Sequence, residues 1–264
     1  MGEIEARAAA GAPLVAVVIP TRGRETRVAF ALEALAEQTL PAETYEVIVV
    51  RDEDAASPLA EGPDGLVARS LTSPGVSGPT AKRNVGWRAA TAPLIAFTDD
   101  DCRPHPDWLE RLLEAAADNP GAVLQGRTVP DPDEIHLLHG HARSRNVPGP
   151  SDWYEASDIA YPRGLLERLG GFDEEFRFGG EDTDLALRAL ALGAKRAFVP
   201  SASVRHAVLS RTLRGAMRDA SAWESAPLIV RRHPEQRRAL FAGIFMKDAH
   251  AWFCLLYTSD AADE

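Results

Sequence analysis

The sequence has little cysteine, no long apolar run and no surplus of positive charge, and each absence excludes a class of protein. Two cysteines among 264 residues are too few for a disulfide-stapled secreted domain. No apolar run approaches the ~20 residues of a membrane-spanning helix, and the first residues lack a signal-peptide pattern. A formal net charge of −10 argues against nucleic acid as a partner. We therefore expect a cytoplasmic globular protein.

The two ends of the chain differ in character from the middle. Residues 1–13 are polar and rich in Ala and Gly, which predicts a disordered amino terminus. Residues 254–264 resemble a translated sequencing adapter, so we set them aside and expect that the true carboxyl terminus is missing. Without them Cys102 is the only cysteine, and it cannot form an intrachain disulfide.

Between these ends, buried strands alternate with amphipathic helices. Continuous, largely β-branched runs at 14–19 and 45–50 are typical of strands buried on both faces of a parallel sheet. Further strands are predicted near 66–71, 94–97, 122–129, 196–199 and 203–206. Helices are predicted over 28–40, 80–90, 162–170 and 181–193, and one more begins near 109. The alternation predicts a doubly wound, mostly parallel α/β sheet flanked by helices.

One α/β domain over 14–209 and a helical tail over 210–253 account for the rest of the chain. Within the domain, residues 130–161 are rich in Pro, Gly and His without periodicity, which predicts a long functional surface loop. The tail carries seven arginines: Arg211, Arg214, Arg218, Arg231, Arg232, Arg237 and Arg238. A solvated helical face is one interpretation of this charge, and peripheral contact with a membrane surface is the other.

Polar residues follow each confident strand in the first half of the domain. Thr21 and Arg22 follow the first strand, Asp52 follows the second, and three consecutive acids, Asp99–Asp101, follow the next. Because the carboxyl ends of parallel strands lie along one edge of a sheet, we expect these groups to converge. Oxygen ligands suit Mg²⁺ or Mn²⁺ shared with substrate phosphates. A solvated acidic turn that caps the next helix is the alternative.

Two helix starts carry further candidates. Lys82 and Arg83 supply positive charge for a phosphorylated nucleotide, and Asn84 beside them can fix a loop. Gly179-Gly180 allows a close approach of the backbone to a ligand, and Glu181–Asp184 then opens a helix with three acids. The alternative for these acids is that they only complement the helix dipole.

Taken in order, these residues resemble a family 2 glycosyltransferase with the GT-A fold, which is Rossmann-like. The resemblance rests on 20–24, on the strand that ends in Asp52, and on 82–86, 97–101, 170–174 and 179–185, followed by Arg188 and His206. It implies a metal-dependent, inverting transfer of a sugar from a nucleotide-diphosphate donor to a hydroxyl of a saccharide or lipid-linked acceptor. Arg51 stands where the family usually has an acid, so the donor base stays open.

The resemblance also implies a role for each candidate residue. Asp182 would be the general base, and Asp101 and His206 would hold Mg²⁺ or Mn²⁺. Contacts with the nucleotide or donor sugar are implied for Pro20, Thr21, Arg22, Asp52, Lys82, Arg83, Asn84, Asp99, Asp100 and Glu181. A helix amino terminus would lower the pKa of Asp182, which is tolerable if the acceptor hydroxyl loses its proton late.

Two other functions share parts of this pattern. A non-catalytic module that binds sugar nucleotides would bind nucleotide with metal without turning it over. A nicotinamide-dependent oxidoreductase would need a Gly-x-Gly-x-x-Gly turn after the first strand, and Pro20–Arg24 is not one.

Three smaller features stay open at this stage. The histidines His136, His139 and His141 suggest a zinc site only weakly, because no acids or cysteines stand at ligand spacing nearby. Trp153, Tyr154 and Tyr161, which flank Asp158, form either an acceptor-sugar platform or part of the core. Cys102 is expected to be a small packed residue.

Overall fold

The computed structural model describes residues 11–53, 68–74, 78–176, 179–212 and 225–240, together with 63, 66, 214 and 215. The predictions for residues 1–10, for the adapter-like segment 254–264 and for the tail beyond residue 240 lie outside these residues.

Eight strands and six helices occur in the described part of the chain. The strands are β1 (Val15–Pro20), β2 (Tyr45–Asp52), β3 (Ala68–Ser73), β4 (Leu94–Phe97), β5 (Cys102–Pro104), β6 (Val123–Pro130), β7 (Ile159–Pro162) and β8 (Arg196–His206). The helices are α1 (Glu25–Ala36), α2 (Pro79–Ala89), α3 (Trp108–Asp118), α4 (Arg163–Leu169), α5 (Glu181–Ala191) and α6 (Ser225–Arg232).

All eight strands form one sheet in the order β3-β2-β1-β4-β7-β6-β8-β5. Strands β3, β2, β1 and β4 run parallel to one another, and β6 runs parallel to β8. Strand β7 is antiparallel to both β4 and β6, and β5 is antiparallel to β8. This mostly parallel sheet with flanking helices confirms the predicted fold class.

Strand β1 lies at the centre of the core because both of its faces are covered. Val15, Val17 and Ile19 pack in the cluster that contains α1 and Trp108 of α3. Ala16 and Val18 face the opposite cluster, which contains Trp87 of α2. A strand buried on both faces reads as a continuous apolar run, which is why the sequence predicts it so clearly.

The structure differs from the prediction at three strands. The weak strand near 66–71 lies at Ala68–Ser73. The two short strands predicted near 196–206 are one strand, β8, whose pairing with β6 shifts register between Gly126 and Arg127. Strand β5 is not predicted, because three residues carry no periodicity and its form depends on pairing with β8.

The loop between β6 and β7 is long, as predicted, and two short pairings pin it to the sheet. Val147 pairs with Thr128 of β6, and Arg143 pairs with Leu209 just beyond β8. The residues between these pairings are thereby held across the carboxyl ends of β6 and β8. None of the described helices is long and apolar enough to cross a bilayer.

Candidate active site

The acids that follow β4 meet residues that follow β1 at the carboxyl edge of the sheet. Thr21 Oγ1 donates to Asp100 Oδ2 over 2.6 Å. The Arg24 guanidinium lies 3.1 Å from Asp100 Oδ1 and 2.7 Å from Asp101 Oδ2. Burial raises the pKa of Asp100 to about 6, with Arg24 opposing the shift and the charge of Asp101 adding to it.

Arg83, in the second turn of α2, joins the two halves of the site. Its guanidinium donates to Asp99 Oδ1 at 2.7 Å and to Glu181 Oε1 at 2.6 Å. Burial favours the neutral form of Asp99, but Arg83 and Arg145 outweigh it and hold the pKa of Asp99 below its usual value. The end of β4 and the start of α5 therefore line one cleft.

Lys82 is a buried cation that links other residues of the protein to one another. Its ammonium lies 2.7 Å from Asp52 Oδ1 and donates to the carbonyl of Thr21 at 2.7 Å, and the side chain is buried. Arg22 approaches the other oxygen of Asp52 at 3.7 Å and is largely exposed. Pro20 is the last residue of β1, so these groups sit together at the ends of β1 and β2.

Asn84 is occupied by the loop that precedes α5. Its Nδ2 donates to the carbonyl of Phe172 and to Glu174 Oε1, both at 2.9 Å. Its Oδ1 accepts from the Phe172 N–H at 2.9 Å and from Trp87 Nε1 at 3.0 Å. The side chain fixes this loop, as the sequence suggested, and its amide atoms are not left for a nucleotide.

Asp101 and His206 face one another where β5 pairs with β8. His206 Nδ1 lies 2.7 Å from the carbonyl of Ala207, which can only accept, so Nδ1 donates and the lone pair of the neutral imidazole would lie on Nε2. Nε2 lies 3.5 Å from Asp101 Oδ1. Two electron-pair donors this close fit a divalent ion between them. Cys102 Sγ is near both, but burial raises the pKa of the thiol well above its usual value.

Asp182 lies in the first turn of α5, after Gly180, whose φ of +85° is a conformation that favours glycine. Its Oδ2 accepts from the backbone N–H of Ala156 at 3.1 Å, and its Oδ1 accepts from the N–H of Thr183 at 2.9 Å. No ion pair joins it to any residue that the structure describes. The carboxylate is therefore oriented by backbone groups and stays partly exposed.

The expectation that the helix terminus lowers the pKa of Asp182 is wrong. Burial raises it to about 7, and the neighbouring charge of Glu181 adds to the shift, while Arg145 and Arg83 only partly offset it. No ion pair with a described residue holds the carboxylate in its charged form, so desolvation sets the direction of the shift. An acid with this pKa can accept a proton at neutral pH.

Three residues with a part in the site were not predicted as site residues. Arg24, within the Pro20–Arg24 stretch, compensates Asp100 and Asp101 directly. Arg145 and Glu155, on the β6–β7 loop, both act on Asp182 electrostatically. Arg24 could have been identified from the sequence, because it belongs to the Pro20–Arg24 motif. The two loop residues carry no sequence signal, because the loop has no period and its path is set by the pairings with β6 and β8.

Two of the three aromatic residues singled out in the sequence, Tyr154 and Tyr161, belong to the core. Tyr161 is fully buried and Tyr154 is 3% exposed, so neither forms the acceptor-sugar platform that was one of the two interpretations. Asp158 is buried as well, and it accepts from Trp108 Nε1 at 2.8 Å. Trp153 is half-buried.

The histidines of the loop form no metal site. Among the described residues, the group of His, Cys and acidic side chains close enough to share an ion is Asp101, Cys102 and His206. His136, His139 and His141 are exposed and do not join such a group. Divergent side-chain placement on an exposed loop explains the difference from the sequence pattern.

The described part of the tail is not simply a solvated face. Arg232 pairs with Asp173 and Glu175, and its guanidinium lies 5.2 Å from the centroid of the Phe176 ring. Arg231 approaches Glu175 at 3.6 Å and is mostly exposed. Helix α6 therefore packs against the segment that leads into α5.

Comparison with known proteins finds one matching family model and several related glycosyltransferases. A model of the family described as glycosyl transferase family 2 matches residues 16–172. The chain is 31% identical over 209 residues to the pre-mycofactocin glycosyltransferase of Mycobacterium tuberculosis, covering 73% of this chain and 44% of that protein. It is 29% identical over 221 residues to the validoxylamine A glucosyltransferase of Streptomyces hygroscopicus, covering 69% and 49%. The chain thus spans about half the length of these relatives.

Solved structures share the fold. Residues 1–349 of S. aureus TarS, crystallised in complex with UDP-GlcNAc, superpose with a TM-score of 0.59 at 18% identity, covering 77% of this chain and 60% of that fragment. The mannosyltransferase PcManGT from Pyrobaculum calidifontis, in complex with GDP-Man and Mn²⁺, gives 0.60 at 24% identity, covering 76% and 58%. These similarities support the GT-A-like architecture. The family match ends before Asp182 and His206, so the roles of these two rest on geometry.

Proposed function

The chain belongs to glycosyltransferase family 2, and from this premise we propose that it transfers a sugar from a nucleotide-diphosphate donor to a hydroxyl group with inversion at the anomeric carbon. One observation carries the proposal. Arg83 binds both Asp99 and Glu181, so the acids that follow β4 and the partly exposed Asp182 line the same cleft. Relatives and neighbours named as glycosyltransferases, some of them holding UDP-GlcNAc or GDP-Man, support the same reaction class.

We assign the donor to the wall formed by the ends of β1, β2 and β4. Pro20, Thr21 and Asp52 lie where a base or ribose would rest, and Arg22 is exposed beside them. Asp99 is held ionised by Arg83, which also contacts Glu181 at the start of α5. Buried cations keep this wall charged without a ligand, so it is organised before the donor arrives.

Asp101 and His206 would hold Mg²⁺ or Mn²⁺, since a carboxylate oxygen and a free imidazole lone pair lie 3.5 Å apart. When bound, the ion supplies positive charge that stabilises the departing diphosphate. PcManGT, a structural neighbour, was solved with Mn²⁺, which supports a divalent ion as part of the proposal.

Asp182 accepts the proton of the acceptor hydroxyl in this proposal. The N–H groups of Ala156 and Thr183 fix the direction of its carboxylate. With a pKa of about 7, the group is strong enough as a base and is about half ionised in neutral solution. Attack by the activated hydroxyl on the face of the sugar opposite the diphosphate inverts the anomeric carbon.

A screen of nucleotide sugars by thermal denaturation, with and without Mn²⁺, tests the proposal. A donor that binds the native state raises the melting temperature, and we expect the rise to require Mn²⁺. Release of nucleotide diphosphate from that donor, slow in water and faster with acceptors, then establishes turnover. Stabilisation without any turnover would favour the alternative of a non-catalytic sugar-nucleotide-binding module.

The acceptor can be a saccharide or a lipid-linked sugar. Contact of the arginine-rich tail with a membrane would favour the lipid-linked acceptor. Arg231 and Arg238 are exposed, so a basic surface is available for contact with anionic lipid. Sedimentation with anionic and with neutral liposomes tests peripheral membrane contact. Co-sedimentation with anionic vesicles alone supports a lipid-linked acceptor, and no sedimentation removes the membrane contact from the proposal.

A further inference from the structure

The described tail segment, Ser225–Leu240, contacts three separate parts of the acid–base side of the cleft. It lies outside the matched family region and after the candidate catalytic helix in sequence. Ile229 is 3% exposed and packs on Gly180. A Cβ added at Gly180 would lie 2.6 Å from Cδ1 of Ile229, so the contact is close. The residue that allows α5 to begin is therefore covered by the tail.

His233 makes the second contact. Its Nε2 lies 2.9 Å from Asp184 Oδ1, and because a carboxylate can only accept, Nε2 donates. Asp184 is 1% exposed, and its other oxygen accepts from Arg188 at 2.7 Å. His233 thus holds the first turn of α5 from outside, two residues from Asp182.

Gln236 makes the third contact, with the β6–β7 loop, which lies on the other side of Asp182 from α5. The side chain is 1% exposed, and its Nε2 donates to the carbonyl of Asp152 at 2.6 Å. The next residue, Trp153, accepts from Thr183 Oγ1 at 2.7 Å. The segment that follows ends at Ala156, whose N–H binds the Asp182 carboxylate.

We propose that Ser225–Leu240 is a brace that sets the geometry of the general base, with His233 and Gln236 as positioning residues. The inference rests on the proposed function, because it assigns Asp182 as the base. One segment fixes α5 through Asp184 and fixes the loop through Asp152, so the two groups that orient the carboxylate are held at a constant separation. Misplacement of a catalytic group by about 1 Å can cost on the order of a hundredfold in rate.

Variants that release one contact at a time test the brace in the full chain. His233→Ala removes the donor to Asp184, His233→Gln restores an N–H at a similar reach, and Gln236→Leu removes the donor to Asp152 while keeping the volume. His139→Ala, at an exposed histidine on a different surface, is the matched control. Thermal denaturation of each variant checks that it remains folded.

Hydrogen–deuterium exchange is the first readout, because it does not depend on the donor. We expect amide exchange at 181–185 and 152–156 to rise about threefold or more in His233→Ala and Gln236→Leu. His233→Gln and His139→Ala should exchange as the wild type does. Unchanged exchange in both segments of folded His233→Ala overturns the brace.

Kinetics with the donor found in the thermal screen is the second readout. We expect kcat to fall about tenfold in His233→Ala, with the KM for the donor and the affinity for UDP or GDP with Mn²⁺ unchanged. Recovery of kcat in His233→Gln separates positioning from a general loss of stability. A normal kcat in folded His233→Ala contradicts the inference. Faster exchange in a protein whose wild type turns over no donor supports the brace and counts against the proposed function.

Discussion

The two walls of the cleft treat the same chemical group in opposite ways. On the wall formed by β1, β2 and β4, Asp52, Asp99 and Asp101 each have a cation at 2.7 Å. On the wall formed by α5 and the β6–β7 loop, Asp182 accepts from two backbone N–H groups, at 2.9 and 3.1 Å, and forms no ion pair with any described residue. The pKa of Asp99 is accordingly lowered, and that of Asp182 is raised to about 7. Asp100 lies between these cases, because burial raises its pKa to about 6 although Arg24 pairs with it at 3.1 Å. A close ion pair outweighs desolvation at Asp99, whereas desolvation prevails at Asp182.

The largest effect is expected when the proposed proton acceptor, Asp182, is removed. Asp182→Asn keeps the shape of the side chain and both backbone contacts in part, but it cannot accept a proton. We expect kcat to fall about 10²- to 10⁴-fold, the usual contribution of a general base, with nucleotide binding near the wild-type value. Steady-state kinetics and calorimetric titration of UDP or GDP check the two halves of this prediction. Asp118→Asn, at the exposed end of α3, is the control, and normal turnover in Asp182→Asn would refute the assignment.

A substitution on the other wall should give the reverse pattern. Asp101→Asn removes the carboxylate that faces His206, and His206→Gln removes the imidazole. We expect the Mn²⁺-dependent part of nucleotide binding to weaken about 10- to 100-fold in either variant, because a ligand is lost. Titration of UDP or GDP with and without Mn²⁺ measures this directly. If both variants kept the full metal dependence, the ion would have to lie elsewhere.

The raised pKa of Asp182 predicts an acid limb in the pH profile. A base with a pKa of about 7 loses activity below that pH as it becomes protonated, about tenfold for each unit. Glu181 contributes to the raised value, so Glu181→Gln should lower the pKa of Asp182 and move the limb to lower pH. Profiles of kcat measured from acid to neutral pH test both statements. Glu33→Gln, an exposed change far from the cleft, should leave the limb in place, and an unmoved limb in Glu181→Gln would contradict the account.

The smallest expected effect is a loss of stability on substitution of Asn84, which supports both walls of the cleft. Asn84 makes four hydrogen bonds, three of which tie α2 to the loop before α5. Asn84→Ala leaves buried groups of Phe172 and Trp87 without partners, and we expect a loss of about 2 kcal/mol in the free energy of unfolding. Denaturant melts measure it, with Asn119→Ala, at an exposed helix end, as the control. A variant as stable as the wild type would show that these bonds are not needed to hold the loop.

The sequence predicts the fold where burial is encoded locally. The apolar runs of β1, β2 and β4 identify buried parallel strands because every residue in them is covered on both faces. Strand β5 is invisible to this reasoning, since three residues become a strand only by pairing with β8. The same holds for the brace at Ser225–Leu240, whose helix is visible only as a short arginine-rich pattern.

The candidate site divides in the same way. The convergence of Thr21, Asp52 and the acids after β4 follows from strand order alone, so their proximity could be predicted. The sign of the pKa shift at Asp182 could not, because it depends on desolvation and on charges that come from three separate segments. Sequence position alone indicated the helix dipole, whereas desolvation is the largest cause of the observed shift.

A crystal structure of the protein grown with Mn²⁺ and a stabilising nucleotide sugar tests the central claim most directly. The account predicts an anomalous manganese peak between the Asp101 carboxylate and His206 Nε2, with the anomeric carbon of the donor facing the Asp182 carboxylate across the cleft. Manganese bound elsewhere, or a donor sugar whose anomeric carbon points away from Asp182, would contradict it.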